Sequence, residues 1–302
     1  MRERAESLLI ALVLLAAVFW PLERLFSARK GQPWLRPRFA TDAAFMAGQY
    51  LVWATSALWL LVKLEGVLSQ FVPPALRETV TGWPYALQAL VVVLLGDLSV
   101  YWFHVASHRV PLLWRFHSIH HSSRHLDWIA AHREHPVDGL LTQLAINLPA
   151  MALGVDLSLL AGLVAFRGLW AIFIHSNVRL PLGPLRYLLG APELHHWHHL
   201  KSQTSHNYAN LAPWTDLLFG TYHRPPAGEE TWPLGNPGEP VRGYLEHLVS
   251  PFRPRGASQR ASVPPFVPSG VEGLLVTASR SAPCEIGGVP LDSARGERGP
   301  SA

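Results

Sequence analysis

Apolar residues gather into long runs along the first half of the chain, and the lengths of these runs set the first expectation. Ser7 to Leu22, led by Arg2 and Arg4, is a run of about one thin bilayer span. A second run, Phe39 to Leu64, has Asp42 and Lys63 as its charges, both near its ends, and carries Trp53 and Trp59. A third, Pro84 to Phe103, holds one acidic residue, Asp97. Each reads as a membrane-crossing helix. A secretory signal peptide competes for the first run, but Glu23, Arg24, Arg29 and Lys30 follow it in place of a small-residue cleavage site, so a retained span is expected. The stretch Gly139 to Ile174 is too long for one span of about 20 residues and too short for two with a generous loop. Two short helices broken near Gly154 to Asp156 are expected there, forming a hairpin whose ends lie on one side.

The polar positions between the runs orient them. Arg24, Arg29, Lys30, Arg36 and Arg38 fall between the first two runs, and the positive-inside bias places that loop in the cytoplasm with the N-terminus outside. Counting spans then puts the histidine-rich segments in the cytoplasm too. A multi-pass location in a bacterial inner membrane is the expectation. From Arg253 onwards Pro, Gly, Ser and Arg dominate without apolar period, which predicts a disordered tail. The expected fold is all-α, a multi-pass transmembrane helical bundle with a cytosolic histidine-rich helical cap. Its expected parts are 1–83 for the first spans and the basic loop, 84–223 for the histidine-bearing core with the hairpin, 224–252 for a C-terminal extension and 253–302 for the tail.

Composition narrows the chemistry. The formal net charge of +4 comes from residues scattered over short loops, with no basic stripe for nucleic acid. The one cysteine, Cys284, excludes an intramolecular disulfide and any multi-thiolate metal site. Sixteen histidines are present in 302 residues, and they are grouped. His104 and His108 are four apart. His117, His120 and His121 follow at helical spacing, and His195, His198 and His199 repeat that pattern, so each set projects to one side of a helical turn. So many imidazoles, titrating near 6.5 when unperturbed, repel one another unless a bound metal holds them neutral. Structural zinc needs four ligands and favours cysteine, whereas eight or nine imidazoles suit two metals with positions left for O2 or water, and two irons are the natural occupants. The zinc-peptidase motif H-E-x-x-H is absent, and His132-Arg133-Glu134-His135 has the wrong spacing for its inverted form.

These motifs resemble the fatty acid hydroxylase superfamily, which includes sterol desaturases, sphingolipid and carotenoid hydroxylases and alkylglycerol monooxygenase. Its three histidine boxes match His104 to His108, His117 to His121 and His195 to His199, in the same order. The surrounding text matches as well: DLSVYWFHVASH from Asp97, WRFHSIHHS from Trp114, His135-Pro136, His175-Ser176-Asn177, Asn207-Tyr208 and DLLFGT from Asp216. Two departures bear on the subfamily. Ala209 stands where glycine commonly follows Asn-Tyr, and Trp214 lies two residues before Asp216.

The resemblance spans roughly Leu90 to Tyr222 and implies an integral membrane di-iron oxygenase. Its iron ligands would fall on His104, His108, His117, His120, His121, His195, His198 and His199, with His175 as an additional ligand between the second and third boxes. O2 would be the co-substrate, and a C–H bond of a sterol, fatty acyl, sphingolipid, ether lipid or carotenoid would be hydroxylated or desaturated. His196 is expected to support the ligands or lie at the surface, and His125, His132 and His135 to be structural or supporting. Asp97 would either orient a ligand imidazole or make an interhelical hydrogen bond. Trp102, Trp114, Trp128 and Trp170 are expected to border the membrane interface, where the lipid substrate would enter. The chain shows no dinucleotide fingerprint, cluster-ligating cysteine set or haem domain, so electrons would come from a separate donor protein. A non-enzymatic membrane metal or haem carrier is the rival reading, and a zinc hydrolase the third.

Overall fold

The computed structural model describes residues 2–155, 157–201, 205–236 and 242–253. The expected tail, apart from Arg253, lies outside the described residues. Within them the regular structure is helical, with two isolated β-bridges, Ser27 to Val178 and Leu200 to Leu234. Helices α1 (Arg2–Leu25), α2 (Phe39–Phe71) and α4 (Tyr85–Arg109) are long and apolar enough to cross a membrane. Their apolar side chains face outward, with Leu9, Val13, Leu14 and Trp59 all more than half exposed. Apolar surface that continuous is what a bilayer covers.

The helix ends follow from local chemistry. Val110 precedes Pro111 and is forced into an extended conformation, which ends α4 and starts α5 (Pro111–His120) in a new direction. The first two histidine boxes therefore sit on separate helices. Between α2 and α4 lies a short helix, α3 (Pro74–Thr81). The expected hairpin is present as α6 (Pro136–Ala152) and α7 (Leu157–His175), broken at Gly154, whose φ of +80° suits glycine. Leu61, Val92, Ala150, Met151 and Leu160 close the core between α2, α4 and this hairpin. Short helices α8 (Pro192–His198), α9 (Trp214–Phe219) and α10 (Tyr244–Val249) complete the histidine-bearing end.

Two polar features depart from the sequence reading. α2 contains a π-helical turn, Gln49–Trp53, within what reads as one continuous span. That turn brings Gln49 Oε1 to 2.7 Å from His132 Nδ1, in keeping with the use of π-turns to re-aim side chains near sites. Arg36, expected as an orientation signal, is instead buried. Its guanidinium grips Asp127 through two bonds of 2.7 and 2.8 Å and pairs with Asp42. Asp42 also accepts from Arg133, so the loop after α1, the start of α2 and the segment after the second box are tied together.

Candidate metal centre

All nine expected histidines converge on one place. His104, His108, His117, His121 and His198 form one group and His120, His175, His195 and His199 another, with the nearest ring nitrogens in each lying within 4.8 Å of one another. Opposite ligands of one ion bonded at about 2.1 Å lie about 4.2 Å apart, so each group is within a few tenths of an ångström of the span that one ion's ligands occupy. The groups adjoin: the His121 and His199 rings stack at 4.2 Å. α4 supplies His104 and His108, α5 His117 and His120, and α8 His195 and His198, while His121 and His199 lie at the two C-caps. α7 delivers His175 with its last residue, so both ends of the hairpin return to the cluster.

Second contacts fix which nitrogen faces the centre. His104 Nδ1 lies 2.7 Å from the Tyr208 carbonyl, His198 Nδ1 2.8 Å from that of His206, His120 Nδ1 3.1 Å from that of Arg133 and His175 Nδ1 2.6 Å from that of Ala171. A carbonyl only accepts, so each Nδ1 carries the proton and each Nε2 presents a lone pair. Yet His104 Nε2 lies 2.9 Å from His198 Nε2, and His120 Nε2 lies 3.0 Å from His175 Nε2. Two lone pairs at that separation repel unless a cation lies between them. Neighbouring ligands at a right angle around an ion bonded at about 2.1 Å sit about 3.0 Å apart. His108 has both ring nitrogens buried without a hydrogen bond, as do His117 Nε2 and His121 Nε2. The donor set fits a metal ion in each group.

Outside the spans, burial pushes the imidazoles of His117, His120, His121, His195, His198 and His199 below their ordinary range, His117 to about 3. Neutral imidazole is the ligating form. Beside them, burial pushes the carboxyls of Asp138 and Glu134 up. Asp138 Oδ2 accepts from His117 Nδ1 at 2.9 Å.

The motif residues beyond the boxes form the frame. Asn207, at φ +58°, donates to the Leu194 and His223 carbonyls and accepts from the His223 amide. Asp216 accepts from the Tyr208 and Ala209 amides and from Thr221. Together they hold the Tyr208 carbonyl against His104. Asn177 ties the end of α7 to the loop after α1, accepting from the Arg29 amide at 2.8 Å. A small cavity beside His195 is walled by Ile174, Ala191, Leu194 and Pro213.

Other candidates are resolved individually. Asp97 makes no bond to an imidazole; it pairs with Arg167 at 2.7 Å and accepts from Trp214 at 3.0 Å. The interhelical alternative holds. His196 is buried away from the surface, with its Nδ1 against Glu229. His135 caps α6 by accepting from the Val137 amide, and its Nε2 contacts the Leu248 carbonyl. Trp102 is exposed as an interfacial residue would be, but Trp114 and Trp128 are buried. Trp114 packs its ring under His108 and His121, which takes it out of the interface. Sequence reasoning missed Asp138, although it stands two residues past the His135-Pro136 motif. It also missed the Arg36, Asp42 and Asp127 network, whose members are too far apart in sequence to leave a local pattern.

The comparisons with known proteins agree with this geometry. The fatty acid hydroxylase family model matches residues 89–221. The ornithine lipid hydroxylase OlsE of Rhizobium tropici is 33% identical over 180 residues, covering 59% of this chain and 54% of its own. Human alkylglycerol monooxygenase is 32% identical over 162 residues, covering 51% of this chain and 35% of its own. The tobacco Delta(7)-sterol-C5(6)-desaturase is 26% identical over 154 residues, covering 49% and 55%. The matches thus span about half or less of these relatives' lengths. No solved structure matches the chain. Residues 89–221, which carry all three histidine boxes, match as a fatty acid hydroxylase domain, in line with the family that the motifs resemble.

Proposed function

We propose that this protein is a membrane-bound di-iron oxygenase that hydroxylates or desaturates a C–H bond of a lipid. The observation that carries the proposal is the pair of adjoining histidine groups, with fixed Nε2 lone pairs converging at the end of a membrane-length helix. The five-histidine group would hold one iron through His104, His108, His117, His121 and His198. The four-histidine group would hold the other through His120, His175, His195 and His199. Two irons held there supply activation of O2, with electrons from a separate donor protein.

The chain's own residues prepare that site. Backbone carbonyls hold four imidazoles in the tautomer that ligates, burial keeps the rings neutral, and Trp114 and Tyr208 close the surroundings against water. The names of the relatives point to a lipid, and OlsE acts as an ornithine lipid hydroxylase. The span that delivers His104 and His108 also brings the centre to the membrane, from which a lipid would enter. The loop carrying Arg29 and Lys30 supports the cytoplasmic side as the location of the centre.

The test is lipid analysis of cells that express the protein under isotopically labelled O2. Hydroxylation predicts lipids that gain one labelled oxygen, and desaturation predicts lipids that lose two hydrogens. Both products must vanish in the His198→Ala variant. A lipid profile unchanged by wild-type protein, with iron bound and reductant supplied, would overturn the proposal.

A further inference from the structure

Asp138 distinguishes the two histidine groups. It lies on the first turn of α6, 2% exposed, and its Oδ2 accepts from His117 Nδ1. Four other imidazoles of the cluster are held at Nδ1 by neutral backbone carbonyls, two in each group. A carboxylate makes a stronger hydrogen bond than a carbonyl and pushes electron density onto the ligating nitrogen. The helix around it is built to keep it there. Pro136 occupies the first turn, the His135 side chain caps the Val137 amide, and the helix N-terminus favours a negative charge. Glu134 folds its carboxyl over Gly139, next to Asp138 in the same turn, with Oε2 2.6 Å from where a Cβ on Gly139 would lie.

We infer that Asp138 is a positioning residue that locks His117 with Nε2 toward the five-histidine group and makes that group hold its metal more tightly than the four-histidine group. The inference rests on the metal reading proposed above. It assigns the two sites different affinities, filled in order, with the five-histidine site first. It also predicts that the contribution of Asp138 is confined to one of them.

The experiment uses full-length protein in detergent, loaded with Co2+ and challenged with rising chelator, and it isolates each site by reducing the other to three imidazoles. In the His199→Ala protein the five-histidine group remains, and Asp138→Asn should weaken Co2+ retention by about 10–100-fold, the usual cost of losing such a partner. In the protein with both His104 and His108 replaced by Ala the four-histidine group is the intact one, and the same substitution should leave retention unchanged, which also shows that the variant is folded. Asp138→Leu, which removes the acceptor as well as the charge, should weaken the first protein further and spare the second. An equal effect in both backgrounds, or none in either, would overturn the inference. Failure of the wild-type protein to bind Co2+ at all would instead overturn the metal reading on which it rests.

Discussion

Replacing Arg36 with Met separates a buried structural charge from an orientation signal. The Arg36 and Asp42 side chains are 0% exposed and that of Asp127 6%. Met fills much of the same volume without charge. Asp42 keeps Arg133 as a partner, whereas Asp127 loses both bonds of the guanidinium. Stranding one buried carboxylate costs about 3–5 kcal/mol. At about 2–4 °C per kcal/mol for a chain of this size class, the thermal midpoint in detergent should fall by about 6–20 °C. Adding Asp127→Asn keeps an acceptor for the Ala130 amide while removing the stranded charge, so the double variant should recover at least half of the loss. A loss of about 1 kcal/mol or less, the size expected for an exposed pair, would refute the buried-network account.

His120→Ala or His198→Ala should abolish turnover and lower metal content while membrane insertion is kept, as measured by metal analysis of the membrane fraction; full metal with normal activity would contradict the ligand assignment. Stability should fall on acidification below about pH 6.5. The imidazoles of His117, His120, His121, His195, His198 and His199 stay neutral in the fold while the unfolded chain takes up protons below about 6.5, so folding opposes protonation there. The carboxyls of Glu134, raised to about 8, Asp138, raised to about 7, and Asp216, raised to about 6, act in the opposite sense and dominate at higher pH, so melting scans should show the midpoint falling between about pH 6.5 and 5, where the six imidazoles outnumber them. In protein lacking Cys284, single cysteines at exposed Arg124 and Lys201 should both resist an impermeant reagent in intact cells and react after lysis. Labelling of just one site in intact cells would separate the second and third boxes and refute a single centre.

The sequence made the fold legible where the physics is local. Run length found the three long helices, and Gly154 marked the break of the hairpin. Helical spacing paired His104 with His108, His117 with His121 and His195 with His199, each one turn apart in one group, but His120 and His198 fall in the other group from the rest of their boxes. What spacing could not show is how the boxes interleave. The five-histidine group draws on all three boxes, and His175 from α7 completes the other. Arg36, Asp42, Asp127 and Arg133 were opaque for the same reason: each looks like an ordinary loop or span-edge charge until the fold buries them together. Trp114 misled because an aromatic near a span end suits an interface and a floor for imidazoles equally well. Asp97 was left between two roles, and only the position of Arg167 across the bundle decided it.

The central claim is that the nine histidines hold two irons, and metal analysis of the purified full-length protein tests it most directly. The account predicts two irons per chain in the wild type, with loss of iron when His108 or His199 is replaced by Ala. One zinc per chain, or no metal in folded protein with both histidine groups intact, would contradict it.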